Sequence, residues 1–179
     1  MKKLKLNLSD VVPLDDGLWS VGQFFDSADF EYIKQTVLGL DQEAFVQSTA
    51  SNLRQELTWV NDGILEELTS VDMSGIIELL DNQNIQCNQV RVWRDDPGYM
   101  IPFHEDDNVV YAHFQVYIQS LDPYIGTTWY TTKGRHTCAF VPNSGYITIC
   151  NRRLPHGMLN PVKDSSRYSL YATFRAKYS

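Results

Sequence analysis

Leu4, Leu6 and Leu8 alternate with Lys5 and Asn7, a period-two pattern that predicts a half-buried edge strand. Gly17 to Phe25 predicts a second short strand. The period then changes. Phe30, Ile33, Val37 and Leu40 recur at helical spacing behind Ser27, whose hydroxyl suits a helix start. Met73, Ile76, Ile77 and Leu80 share one face of a second helix predicted over 72–81,. The stretch between is less regular: 52–57 reads as a helical turn and Asn61-Asp62-Gly63 as a turn signal,.

From Gln86 onward the chain reads as short strands with turn punctuation. They are predicted over 88–94, 103–107, 111–120, 127–132, 137–142, 145–150, 156–160 and 167–176,. Breaks fall at Asp96-Pro97-Gly98, Asp122-Pro123, Lys133-Gly134, Pro142-Asn143-Ser144-Gly145 and Asn160-Pro161,. This pattern predicts a sandwich or barrel, and a double-sheet jelly roll closes its edges well at this length. The expected fold is mainly β with flanking α: a double-stranded β-helix with N-terminal helices packed on one sheet. It forms a single domain over 1–179, with 1–87 as support and 88–176 as the core. In the last strand Arg167, Ser169, Tyr171 and Thr173 share one face, and Tyr168, Leu170, Ala172 and Phe174 the other,. The apolar face can pack under helices while the polar face lines a cavity.

Composition narrows the function classes. At 179 residues, 43% apolar and 21% charged, the chain can bury one ordinary core. No run reaches the roughly 18 apolar residues of a membrane span, so no membrane association is expected. The basic start, Met1-Lys2-Lys3, has no apolar stretch behind it, so no leader is expected and the chain reads as complete. Cys87, Cys138 and Cys150 are odd in number and outside any CxxC spacing. They suit a reducing, cytoplasmic setting and argue against a thiolate zinc site. The net charge of −7 is uneven: 1–90 hold 5 basic and 15 acidic side chains, 91–179 hold 10 and 7. The second half suits an anionic ligand, but no basic stripe points to nucleic acid.

Three short segments carry chemistry. In an extended strand His104 and Asp106 project together, with Glu105 and Asp107 facing away,. Such a triplet by itself reads as a polar strand end. His156 follows 52 residues later, in Leu154-Pro155-His156-Gly157; alone it reads as a core or loop histidine. Strands between them can make them neighbours, and two histidines with one carboxylate form the facial triad of non-haem iron(II) sites. Arg167 and Ser169, 11 residues further on, converge on the cavity face, where a guanidinium fork suits a carboxylate. His113 can face the cavity but brings no second ligand; His136 reads as turn surface.

With these segments in this order, 88–176 resembles the 2-oxoglutarate/iron(II) oxygenase superfamily, and its prolyl-4-hydroxylase-like branch in particular. Trp93-Arg94-Asp95-Asp96-Pro97-Gly98 and Phe140-Val141-Pro142-Asn143-Ser144-Gly145 support the resemblance. It implies Fe(II) held by His104, Asp106 and His156, with 2-oxoglutarate and O2 on the remaining positions and ascorbate as a stimulant. It also implies Arg167 on the distal carboxylate with Ser169 assisting, and Gln115 and Tyr117 as further contacts. For those last two, plain strand alternation explains the pattern equally well. Tyr99, Tyr111 and Trp129 fall near the expected cavity mouth. The implied activity is a hydroxylase forming succinate and CO2 while oxidising an unidentified substrate, with a nudge towards a peptidyl or amino-acid side chain. A cupin-type metal enzyme, a zinc hydrolase and a non-enzymatic module on the same scaffold remain as rivals. The first two leave Arg167-x-Ser169 without a role.

Overall fold

The computed structural model describes residues 4–49, 51–58, 64–106 and 109–177. Strands β1 (Leu4–Asp15) and β2 (Leu18–Phe25) form a hairpin. It turns at Gly17, whose φ of +74° a side chain would strain,. Helix α1 (Ser27–Leu38) follows, capped by Asp26 Oδ1, which accepts from Asp29 N at 2.8 Å. The cap thus lies one residue before the expected Ser27, because the acceptor must reach the third amide onward. Next come β3 (Phe45–Gln47), β4 (Arg54–Leu57), α2 (Ile64–Thr69), β5 (Val71–Asp72) and α3 (Ser74–Leu79). The second helix is shorter than 72–81, since Val71 and Asp72 instead pair in parallel with β1.

The predicted helical turn over 52–57 is a strand. β4 pairs with the following strand, β6 (Ile85–Asp95), at Arg54↔Asp95. Buried ends three apart, Arg54 and Leu57, imitate helical spacing, but in an extended chain they face opposite ways,. The turn at Asn61-Asp62-Gly63 lies outside the described residues.

The remaining strands are β7 (Ala112–Gln119), β8 (Thr127–Thr131), β9 (Gly134–Cys138), β10 (Gly145–Ile149), β11 (His156–Met158) and β12 (Arg167–Ala176). The predicted strand at 103–107 reduces, among the described residues, to one two-way backbone bridge between His104 and His156; Asp107 lies outside them. β9 begins at Gly134 rather than at 137, because Lys133-Gly134 turns tightly into it. His136 therefore sits on a strand opposite Trp129 instead of on a turn.

Nine strands form one sheet in the order β3-β4-β6-β12-β7-β10-β2-β1-β5, and β11-β8-β9 form the second. This is the expected double-stranded β-helix. On one side of the large sheet Phe30, Ile33, Val37 and Ile76 from the helices pack with Leu170, Ala172 and Phe174 of β12. Between the sheets lies a second cluster that includes Leu18, Tyr99, Tyr117, Trp129, Phe140, Tyr146 and Met158. The helices thus cover the outer face, leaving the inner face of β12 to the cleft. No helix among the described residues is long and apolar enough to cross a membrane.

Candidate active site

The His104–His156 bridge places two imidazoles side by side, with ring centres 4.4 Å apart. Each ring is oriented the same way. His104 Nδ1 lies 2.9 Å from Pro102 O, and His156 Nδ1 lies 3.0 Å from Leu154 O. A carbonyl can only accept, so both Nδ1 atoms carry the proton and both Nε2 atoms present lone pairs. They face one oxygen: Asp106 Oδ1 lies 3.8 Å from His104 Nε2 and 3.7 Å from His156 Nε2. The three donor atoms fall within 4.8 Å of one another, a spacing a single divalent cation can span. Two imidazoles, one carboxylate and backbone-locked tautomers fit an iron(II) centre.

His156 is further held by Trp129, stacked on it at 4.1 Å and 20°. Burial pushes its pKa below the usual histidine value, against the opposing pull of Asp106 and the Leu154 carbonyl. The ring is therefore neutral at pH 7 and able to ligate. His113, on β7, is more deeply buried, and its pKa falls to about 4 for the same reason. It lies beside Asp106, with Nδ1 3.6 Å from Oδ2, and it does have a companion donor in Cys150.

The triad opens into a narrow cleft of about 80 Å³. Its walls include Arg54, Trp93, Gln115, Thr127, Tyr146 and Arg167. Arg167 does face inward, but an anionic partner is already built into the fold. Its Nε donates to Asp95 Oδ2 at 2.8 Å, and its Nη1 donates to the Ile125 carbonyl. Arg54 shares the same carboxylate, with Nε on Oδ1 at 2.6 Å and Nη2 on Oδ2 at 2.9 Å. Its guanidinium lies over Trp93 and Tyr99, 3.8 and 4.5 Å from the ring centres. Two buried cations against one buried anion leave an excess positive charge, which is costly unless an anion binds. The surplus needs both arginines. Arg54 was missed from sequence because its segment read as a helical turn.

The other expected contacts divide. Gln115 lines the cleft and is fixed between Tyr146, which donates to Oε1 at 3.1 Å, and Ser169, which accepts from Nε2 at 2.9 Å. Ser169 thus buttresses Gln115 and is not part of the cleft wall around Arg167. Tyr117 points into the inter-sheet core, stacked on Phe140 at 4.1 Å, with its hydroxyl on Thr127. Of the three aromatics expected at the mouth, Trp129 backs His156, Tyr99 backs Arg54, and Tyr111 packs against the outer core.

Three solved structures bear on this arrangement. An oxidoreductase of the 2OG-Fe(II) oxygenase family from Burkholderia pseudomallei superposes with a TM-score of 0.67 at 12% identity, covering 97% of this chain and 96% of its own. The fold is that of the 2-oxoglutarate/iron(II) oxygenases. HygX from Streptomyces hygroscopicus, solved with nickel, 2-oxoglutarate and hygromycin B, gives 0.66 at 10% identity over 90% of this chain and 84% of that one. A Pseudomonas putida prolyl-4-hydroxylase gives 0.60 at 16% identity over 90% and 94%. No family model matches the chain, and no curated protein matches it in sequence.

Proposed function

We propose that this chain is an iron(II)- and 2-oxoglutarate-dependent dioxygenase that couples oxidative decarboxylation of 2-oxoglutarate, to succinate and CO2, with hydroxylation of a second substrate. The observation that carries the reading is a single cleft lined both by the locked His104–Asp106–His156 donor set and by a surplus guanidinium. A metal site next to a carboxylate receptor suits a keto acid with a second carboxylate.

In this reading His104 and His156 offer Nε2, Asp106 offers Oδ1, and iron(II) bound there supplies the redox centre for dioxygen and keto-acid chemistry. Arg167 and Arg54 hold the distal carboxylate through the guanidinium hydrogens not committed to Asp95. Gln115 cannot swing, being held at both ends of its amide, so it presents a fixed polar edge to the bound cosubstrate. Trp129 shields the back of His156 from water.

The fold is shared by a prolyl-4-hydroxylase and by HygX, whose structure contains hygromycin B. A peptidyl or amino-acid side chain is the substrate class we favour. We place the chain in a reducing, cytoplasmic setting on the odd cysteine count and the lack of CxxC spacing,.

The test is succinate release by the purified chain with Fe(II), ascorbate and 2-oxoglutarate, alone and with proline-rich peptides. Wild type is expected to form succinate slowly without a second substrate, and His104→Ala to fall to background. Failure of wild type both to bind 2-oxoglutarate and to form succinate would overturn the proposal.

A further inference from the structure

Asp106 faces donors on two sides. Oδ1 meets the Nε2 atoms of His104 and His156, whereas Oδ2 meets His113 Nδ1 at 3.6 Å. His113 Nδ1 in turn lies 3.6 Å from Cys150 Sγ. Asp106, His113 and Cys150 thus form a second group whose three donor atoms lie within 4.8 Å of one another. The separations suit a cation. With Zn–N and Zn–S bonds of about 2.05 and 2.3 Å at a tetrahedral angle, N···S comes to about 3.6 Å and N···O to about 3.4 Å. The observed 3.6 Å is long for an N–H···O hydrogen bond, so it is poorly explained as a simple bond between His113 and Asp106.

His113 raises a second question. The ring is 3% exposed, and its Nε2 has no hydrogen-bond partner among the described residues. Nδ1, 3.6 Å from both Asp106 Oδ2 and Cys150 Sγ, is the nitrogen the group offers to a cation, and Nε2 then carries the ring proton,. The position has access to solvent. His113, Asp106 and Cys150 line a cleft of about 330 Å³ together with His104, Glu105, Val110 and Tyr171.

We propose that Asp106, His113 and Cys150 form a second cation site, for a thiophilic divalent ion of the zinc class, sharing Asp106 with the triad through its other carboxylate oxygen. The thiolate selects against magnesium and calcium and for zinc or cobalt. Three protein donors leave a fourth position open to the cleft. The site shares Asp106 with the triad but needs neither His104 nor His156, nor the two arginines.

Cobalt(II) titration of the full chain tests it, because a thiolate ligand gives a near-ultraviolet charge-transfer band that nitrogen and oxygen donors do not. The band is expected in wild type and in His104→Ala, where the triad is broken, and should vanish in Cys150→Ser. No band in wild type at saturating cobalt overturns the site; so does a band surviving Cys150→Ser, which would assign it to another cysteine. Zinc-edge X-ray absorption of wild type loaded with two equivalents needs no variant and guards against misfolding. A sulfur neighbour at about 2.3 Å, averaging about half an atom per zinc with both sites filled, supports the site, and a shell of only nitrogen and oxygen overturns it. Wild type that gives the cobalt band but neither binds 2-oxoglutarate nor forms succinate would sink the oxygenase reading and leave this one standing.

Discussion

Asp95 is fully buried between Arg54 and Arg167, and its position explains how two cations are tolerated inside a small domain. Each arginine keeps a strong charge-assisted bond when the cleft is empty. Asp95→Asn should therefore destabilise the fold by about 3–5 kcal/mol, as removal of one partner of a buried ion pair does, read as a lower urea midpoint. Arg54→Met and Arg167→Met should each weaken 2-oxoglutarate binding to the nickel-loaded chain by at least about tenfold, or ~1.4 kcal/mol, while nickel affinity holds. Equal loss of nickel would make both arginines structural. His113 gives a pH prediction. Unfolded, it takes a proton below about pH 6.5; folded, only near pH 4. Between those values the unfolded chain binds more protons, so stability is fully present above pH 6.5 and falls as the pH drops towards 4. The shift is worth about 3 kcal/mol. Urea unfolding of the metal-free chain at pH 7.5 and 5 should show the loss, and His113→Phe should reduce it, leaving the part contributed by His156, whose pKa burial also lowers.

At the scale of elements, the metal group depends on a very short strand. β11 has three residues, and its ladder contact with the 102–104 segment is the pair of backbone hydrogen bonds between His104 and His156. Gly157 makes that approach possible: a Cβ there would lie 2.9 Å from Phe103 Cα and N, and 3.0 Å from Pro102 C. Backbone cannot swing aside as a side chain can. Gly157→Ala should push the two histidines apart and lower metal affinity well before it lowers the urea midpoint, by comparing nickel binding with unfolding. The same scale shows where periodicity was informative. β12 runs over Arg167–Ala176 as expected for 167–176, and its two faces divide as the side-chain types suggest, Arg167 to the cleft and Phe174 to the core. β4 was misread because four residues carry too little period to separate a strand from a helical turn.

Across the whole molecule, the helices, the large sheet and the small sheet form successive layers with apolar clusters on both sides of the large sheet. Phe174, packed on Phe114 with ring centres 6.2 Å apart, lies in the outer cluster. Phe174→Ala should cost about 3–5 kcal/mol, seen in the urea midpoint, while leaving the affinity for nickel in the surviving folded chain close to wild type. Alternation, turn residues and the spacing of His104, Asp106, His156 and Arg167 determined the strand-rich class, the sheet faces and a candidate donor set, because each is a local or periodic property of the chain. Only the tertiary structure decided that Arg54 joins Arg167 on Asp95, that Tyr117 turns into the core, and that Cys150 meets His113. Those contacts span 41, 10 and 37 residues or cross between sheets, and no period in a sequence records which distant side chains a closed double sheet presses together.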